Sequence, residues 1–266
     1  MSTAETSSPI SILGEKLYTA LRTRRPISPL IASHLSLTID DAYAISLDFL
    51  NRRVADGEKV IGKKIGVTSK AVQDMLNVFQ PDFGFLTDKM RVGNNETVDI
   101  LQAKLLQPRA EAEIAFILKE DLNGPGIEQS DVLSATEFIV PCFEIVDSRI
   151  ENWEISIVDT IADNASCGIF VLGDVRVNPT RFDLPNLDVQ VFKNGNFLSS
   201  GKGSAVQGSP LEAVAWLANT LGQYGVPLKA GETILSGSLV PLEPALPGDR
   251  FEMDLSGIGK CSISFS

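Results

Sequence analysis

Hydrophobic positions along the chain recur at two different periods, and each period marks a different kind of element. Leu13, Leu17, Ala20 and Leu21 recur at helical spacing, and that run stops near Arg25-Pro26. A second helix is predicted from Thr38, which caps it together with Asp41 three positions on. Its apolar stripe reads Ile39, Ala42, Tyr43, Leu47, Leu50 and Val54, and Gly57 closes it. Lys59 to Val67 reads as a short strand broken by glycines, leading through Thr68-Ser69 into a helix expected from Lys70 to about Leu76.

From about residue 100 the period falls to two. Pro108 to Leu118 and Phe138 to Val146 are strand-like apolar runs, and Asn194-Gly195 between two short strands signals a type I′ hairpin. Phe251/Met253/Leu255 and Cys261/Ile263/Phe265 predict two C-terminal strands joined by residues 256–259. One helix interrupts them, with Ser209 as cap, Pro210 in first position, Glu212 completing a capping box, and Leu211, Val214, Ala215, Ala218 and Leu221 buried. Ser200-Gly-Lys-Gly-Ser204 lacks the strand–GxGxxG–helix context of a nucleotide site and is expected to be a turn. With no repeats and no alternating βαβ rhythm, the chain is read as α+β: a mainly helical region over residues 1–100, packed on a mixed-sheet domain over 101–266.

Composition narrows the function more by exclusion than by suggestion. A net charge of −11 and a pI near 4.6 argue against nucleic acid or an anionic membrane as partner. No run approaches the roughly 20 apolar residues of a membrane span. The first residues show neither the cationic nor the apolar part of a signal peptide, so a cytoplasmic setting is expected. Cys142, Cys167 and Cys261 are odd in number, widely spaced and set among apolar neighbours, as buried thiols are. The single histidine, His34, has no motif around it. Acid–base chemistry therefore falls to Lys, Asp, Glu, Tyr or metal-bound water.

Glu111, Glu113 and Glu144 are the candidate chemistry. Glu111 and Glu113 share one face of a strand, about 7 Å apart, while Ala110, Ala112, Ile114 and Phe116 share the other. Glu144 stands alone in a still more apolar run, where an unpaired charge is costly. A solvated Glu-x-Glu face and an ion pair of Glu144 with Arg149 or Lys64 are the plain readings. Three acids all in want of a counter-charge also suit a hard divalent cation.

Five blocks in order carry a resemblance: Gly62-Lys-Lys-Ile-Gly-Val-Thr-Ser-Lys70, Gln80-Pro-Asp-Phe-Gly84, Pro108-Arg-Ala-Glu-Ala-Glu-Ile114, Phe143-Glu-Ile-Val-Asp-Ser-Arg149 and Asp159-Thr-Ile-Ala-Asp-Asn-Ala-Ser-Cys-Gly168. The chain resembles the 2-oxopent-4-enoate (2-hydroxypenta-2,4-dienoate) hydratases of the fumarylacetoacetate hydrolase superfamily, which act in bacterial meta-cleavage of aromatic compounds. The likeness extends through Leu235-Ser-Gly-Ser238 and Pro247-Gly-Asp249. It implies a fumarylacetoacetate-hydrolase-like catalytic domain and Mg²⁺ or Mn²⁺ held by Glu111, Glu113 and Glu144. It also implies acid–base and water-orienting roles for Lys64 and Asp82, and substrate contacts from Ser166 and Ser236. A lysine in so apolar a setting is expected to have its pKa lowered toward neutrality. Water addition to the dienoate would give 4-hydroxy-2-oxopentanoate. The resemblance further implies a homo-oligomer and a complex with a paralogous 4-oxalocrotonate decarboxylase. Decarboxylation of 2-oxo-3-hexenedioate, or a largely non-catalytic place in such a complex, are the alternative readings.

Overall fold

The computed structural model describes residues 8–70, 73–74, 78 and 80–266, and its helices come first. They are α1 (Pro9–Thr23), α2 (Leu30–Ser33) and α3 (Ile39–Ala55). Then follow β1 (Val60–Gly66), β2 (Asp82–Thr87), β3 (Arg91–Val92), β4 (Glu96–Val98), β5 (Arg109–Leu118), α4 (Gln129–Ala135) and β6 (Thr136–Val146). The chain continues with α5 (Ile157–Ala162), β7 (Cys167–Leu172), β8 (Asp188–Lys193), β9 (Asn196–Lys202), α6 (Pro210–Gly222), β10 (Thr233–Leu235), β11 (Glu243–Pro244), β12 (Arg250–Leu255) and β13 (Gly259–Phe265). The fold is α+β, and residues 60–98 already supply strands to both sheets, so the first hundred residues divide into a helical and a β part. The helix expected from Lys70 to about Leu76 falls largely outside the described residues.

Thr38 and Asp41 form the capping box read from sequence, each side chain bonded to the other's backbone, a motif whose cap is worth about 1 kcal/mol. The buried stripe of α3 is rotated from the expected one: Ala42, Ile45, Phe49 and Leu50 face inward, whereas Leu47 and Val54 are exposed. Phe49 and Ile45 pack on Leu13 and Leu17 of α1 and on Ile161 of α5, and that three-helix contact decides which flank is inner. Ser209 caps α6 by accepting from Leu211 N–H. Glu212 does not close the expected box, because its carboxylate accepts instead from the Gln129 side chain at 2.9 Å.

The larger sheet has the order β2-β1-β10-β5-β6-β7-β3, with β11 beside β5; the smaller is β4-β13-β12-β8-β9. Asn194 and Gly195 make the hairpin between β8 and β9 with φ of 54° and 78°, as a type I′ turn requires. Residues 200–202 end β9 and 203–205 form one 3₁₀ turn, so the glycine-rich segment is part strand, part turn. Between the sheets lies the main core, where Ala112, Ile114 and Phe116 meet Phe251, Ile263 and the inner side of α6. A smaller cluster, Leu86, Ala115, Cys142, Phe170 and Leu235 among its members, covers part of the larger sheet's other face. The rest of that face carries the polar side chains that matter most. The three cysteines are free and buried.

Candidate active site

Antiparallel pairing of β5 with β6 sets Glu111 directly opposite Glu144, with Glu113 opposite Cys142. Alternation along β5 sends Ala110, Ala112, Ile114 and Phe116 into the main core and turns Glu111 and Glu113 the other way. One carboxylate oxygen from each of Glu111, Glu113 and Glu144 then lies within 4.8 Å of the others. Gly237 N–H donates to Glu113 Oε2 at 2.8 Å. Glu113 Oε1 and both oxygens of Glu144 are buried without a hydrogen bond among the described residues.

Lys64 answers part of this charge. Its Nζ lies 3.2 Å from Glu144 Oε1, and both side chains have almost no accessible surface. Burial alone would depress the ammonium, but Glu144, Asp82 and Glu111 outweigh it and hold Lys64 above the ordinary lysine range. The lowering expected from an apolar setting is thus reversed by the carboxylates around it. Burial, and then the charge of Glu144, push the Glu111 carboxyl up to about 8. Glu113 is driven well above the usual carboxylate range by burial and by Glu144 and Glu111 together. Three carboxylates whose oxygens cluster this closely, with Glu113 Oε1 and both Glu144 oxygens unpartnered among the described residues, are a donor set that fits a hard divalent cation, and Glu111, Glu113 and Glu144 are the residues that could hold one.

Asp82 begins β2 opposite Gly66 of β1. A Cβ on Gly66 would overlap Asp82 Oδ1 and lie 3.3 Å from Lys64 Nζ, so the missing side chain is what lets the two close up. Thr160 Oγ1 donates to Asp82 Oδ2 at 3.4 Å and lies 3.4 Å from Ser166 Oγ, which in turn donates to Asp163 Oδ2 at 3.3 Å. Burial raises the Asp82 carboxyl, with Lys64 opposing.

The network stands on a strained turn. Asn164, Ala165 and Ser166 are all left-handed, with φ of 56°, 50° and 50°, a conformation costing about 1–2 kcal/mol per L-residue. Two anchors hold it. Asn164 bonds the backbone N–H and C=O of Phe85 at 2.8 and 3.0 Å. Arg149, fully buried, donates through Nε to Asp163 Oδ1 and through its other nitrogens to the carbonyls of Asp147, Asp163 and Cys167. Asp159 serves as a cap: it accepts from Ser156 N–H and, at 2.6 Å, from Leu30 N–H, tying α2 to α5 and presenting Thr160.

These groups open onto a cavity of about 650 Å³. Lys64, Asp82, Glu111, Thr160 and Ser166 line it, and Val67, Ile155, Leu239, Val240 and Leu242 supply apolar walls.

Residues 52–265 match the family model described as fumarylacetoacetate (FAA) hydrolase C-terminal. The chain belongs to the fumarylacetoacetate hydrolase family. Within it, the chain is 60% identical over 257 residues to the 2-hydroxyhexa-2,4-dienoate hydratase of Comamonas testosteroni, covering 97% of each. It is 58% identical over 217 residues to the 2-hydroxypent-2,4-dienoate hydratase of Pseudomonas putida, covering 82% of this chain and 97% of that one. The fold is also that of the 4-oxalocrotonate decarboxylase from Pseudomonas putida G7, complexed with magnesium and adipate: TM-score 0.93, 34% identity, 100% of this chain and 99% of that one.

The structure of this fumarylacetoacetate hydrolase family member brings Lys64, Asp82, Glu111, Glu113, Glu144 and Ser166 into one neighbourhood. Ser236 lies deeper, buried just after β10 with its hydroxyl unbonded among the described residues, and Ser238 is the serine of that loop lining the cavity. Thr160, Gly237, Arg109 and Trp153 escaped the reading of the sequence. Only Arg109 left a signal there, since it continues the alternation of Glu111 and Glu113 backward by one step.

Proposed function

We propose that the chain is a divalent-metal-dependent hydratase that adds water to 2-hydroxypenta-2,4-dienoate (2-oxopent-4-enoate) and releases 4-hydroxy-2-oxopentanoate, in aromatic meta-cleavage catabolism. The observation that carries this reading is the convergence of Lys64, Asp82 and Glu111 on one cavity, with Glu113 and Glu144 clustered against Glu111, in a chain 58–60% identical to dienoate hydratases. When bound, Mg²⁺ or Mn²⁺ supplies a Lewis acid that stabilises negative charge on the substrate's 2-oxygen. Lys64 carries the proton between the enol oxygen and the terminal carbon in the tautomerisation. Asp82, aimed by Thr160, orients the water that adds at C4 and takes its proton, and C3 gains a proton as the 2-oxo group re-forms, so that the elements of water add across C3–C4. Ser166 is the proposed polar contact to substrate on the cavity wall, Ser236 is the proposed polar group behind it, and the apolar walls keep bulk water from the hydrocarbon end.

The decarboxylase reading draws on the whole-chain likeness to 4-oxalocrotonate decarboxylase, at the lower identity of 34%. Assaying the purified, Mg²⁺-loaded chain with each substrate separates them. Hydration of the dienoate without decarboxylation of 2-oxo-3-hexenedioate, abolished by chelation and by Glu113→Ala, is the expected result. Decarboxylation alone would overturn the reading, and inactivity toward both would leave only a subunit role. The same reading makes the chain a cytoplasmic homo-oligomer able to join a paralogous decarboxylase; exposed Phe197 and Tyr224 offer apolar surface for such contacts, and light scattering reads the assembly.

A further inference from the structure

Arg109 opens β5 on the face that carries Glu111 and Glu113, one alternation before the first carboxylate. Its side chain lines the cavity and its guanidinium lies 4.5 Å over the Trp153 ring. Two cations line the cavity among the described residues. Lys64 is engaged by Glu144, whereas the Arg109 guanidinium has no acid within ion-pair distance and no hydrogen bond among the described residues.

The platform under that guanidinium is held from several sides. Trp153 Nε1 donates to Gln107 O at 3.0 Å. The Asp147 carboxylate accepts from the N–H groups of Leu106 and Gln107, at 2.9 and 2.6 Å. The Gln107 side chain donates to the carbonyls of Ser148 and Ile150, at 3.1 and 2.7 Å. Asn152 and Trp153 both take left-handed backbone, with φ of 58° and 56°. Neither is glycine, and such strain persists where the surroundings over-determine it, often beside ligand sites. Here it sets the indole against the guanidinium.

We propose that Arg109, backed by Trp153, is the docking point for the substrate carboxylate adjacent to the 2-oxo (enol) carbon. The proposal rests on the reading of the cavity as a 2-oxo acid site. A planar fork of N–H donors pairs with a carboxylate two bonds at a time, and stacking on an indole leaves the edge of the fork free to do so. Two residues along a strand separate Arg109 from Glu111 by about 7 Å, so Arg109 and Glu111 line the same cavity wall without pairing with each other. A substrate anion approaching Glu111, Glu113, Glu144 and Asp82 meets repulsion, and Arg109 supplies the fixed positive charge that offsets it at the point of entry. The runner-up role, binding the far carboxylate of a dicarboxylic substrate, would leave a monocarboxylate indifferent to Arg109.

The test uses the full chain loaded with Mn²⁺, as wild type, Arg109→Gln and Arg109→Lys. Mn²⁺ affinity is read by the free-ion electron paramagnetic resonance signal, and ligand affinity by calorimetry. The ligands are pyruvate, which carries a carboxylate only beside its 2-oxo group, and 2-oxoadipate, which carries a second at the far end. Mn²⁺ affinity is expected to stay within about twofold, while both ligands weaken about tenfold or more in Arg109→Gln and recover in part in Arg109→Lys. Dienoate KM is expected to rise more than kcat falls. Unchanged pyruvate binding in Arg109→Gln overturns the proposal, and so does weakening confined to 2-oxoadipate. A wild-type chain that binds pyruvate through Arg109 yet does not hydrate the dienoate would refute the hydratase reading and leave this docking point standing.

Discussion

Lys64 lies 3.2 Å from Glu144 and faces the same cavity as Asp82, so proton carrier and fixed positive charge are both open to it, and substitution separates them. Lys64→Arg keeps the charge but replaces an ammonium that can exchange its proton with a guanidinium that holds its own. Turnover is expected to fall about 10²-fold or more in both Lys64→Arg and Lys64→Ala, with Mn²⁺ affinity nearly intact. Near-normal kcat in the arginine variant would assign Lys64 to charge alone. Gly66 offers a finer probe, because a Cβ there would strike Asp82 Oδ1 while approaching Lys64 Nζ only to 3.3 Å. Gly66→Ala is expected to fold, as judged by circular dichroism, and to lose about tenfold or more in kcat by pushing Asp82 away. If kcat survives, the close approach of Asp82 is not what catalysis uses.

Among the elements, the pair β5–β6 places Glu111, Glu113 and Glu144, while α5 and the left-handed turn after it place Thr160 and Ser166. That turn depends on Arg149 and Asp163, both with almost no accessible surface. Asp163→Asn removes the counter-charge of a buried arginine, a change that typically costs about 3–5 kcal/mol. Urea denaturation should show a midpoint shift of that order, and an unshifted midpoint would mean the turn is held by Asn164 alone. The strands around Glu111 and Glu144 were legible in the sequence because alternation and apolar runs are local patterns. The Glu144–Lys64 pair was one of two partners the sequence left open, and only the register of β1 through β10 to β5 and β6 decides it. The stripe of α3 and the partner of Glu212 were misread for a related reason: helical spacing allows Leu47 and Val54 inward, and contacts with α1, α5 and α4 overrule it. Three successive left-handed residues, none of them glycine, have no sequence signal at all.

Over the whole molecule, stability and metal binding are linked through protons. Burial and Glu144 raise the Glu111 carboxyl from the ordinary 4.5 to about 8 in the folded, cation-free chain. The folded state therefore binds this proton more tightly than the unfolded state. The resulting stability is complete below about pH 4.5 and is lost as pH climbs toward 8. A cation acts in the opposite sense, since it takes the deprotonated site. The increase in Tm on adding Mg²⁺ is expected to be larger at pH 8 than at about pH 6, and the chelated Glu111→Gln variant should lose less stability across that window. Equal Mg²⁺ increments at both values would detach the carboxylates from the ion. Glu111 and Glu144 also face each other across β5–β6, the longest strand pair of the fold. Once Glu111 deprotonates, like charges so placed oppose the pairing of the two strands. The ion proposed to serve the substrate would then also be a rivet through the middle of the sheet. A cell short of that ion would lose part of its standing stock of folded enzyme along with its catalysis.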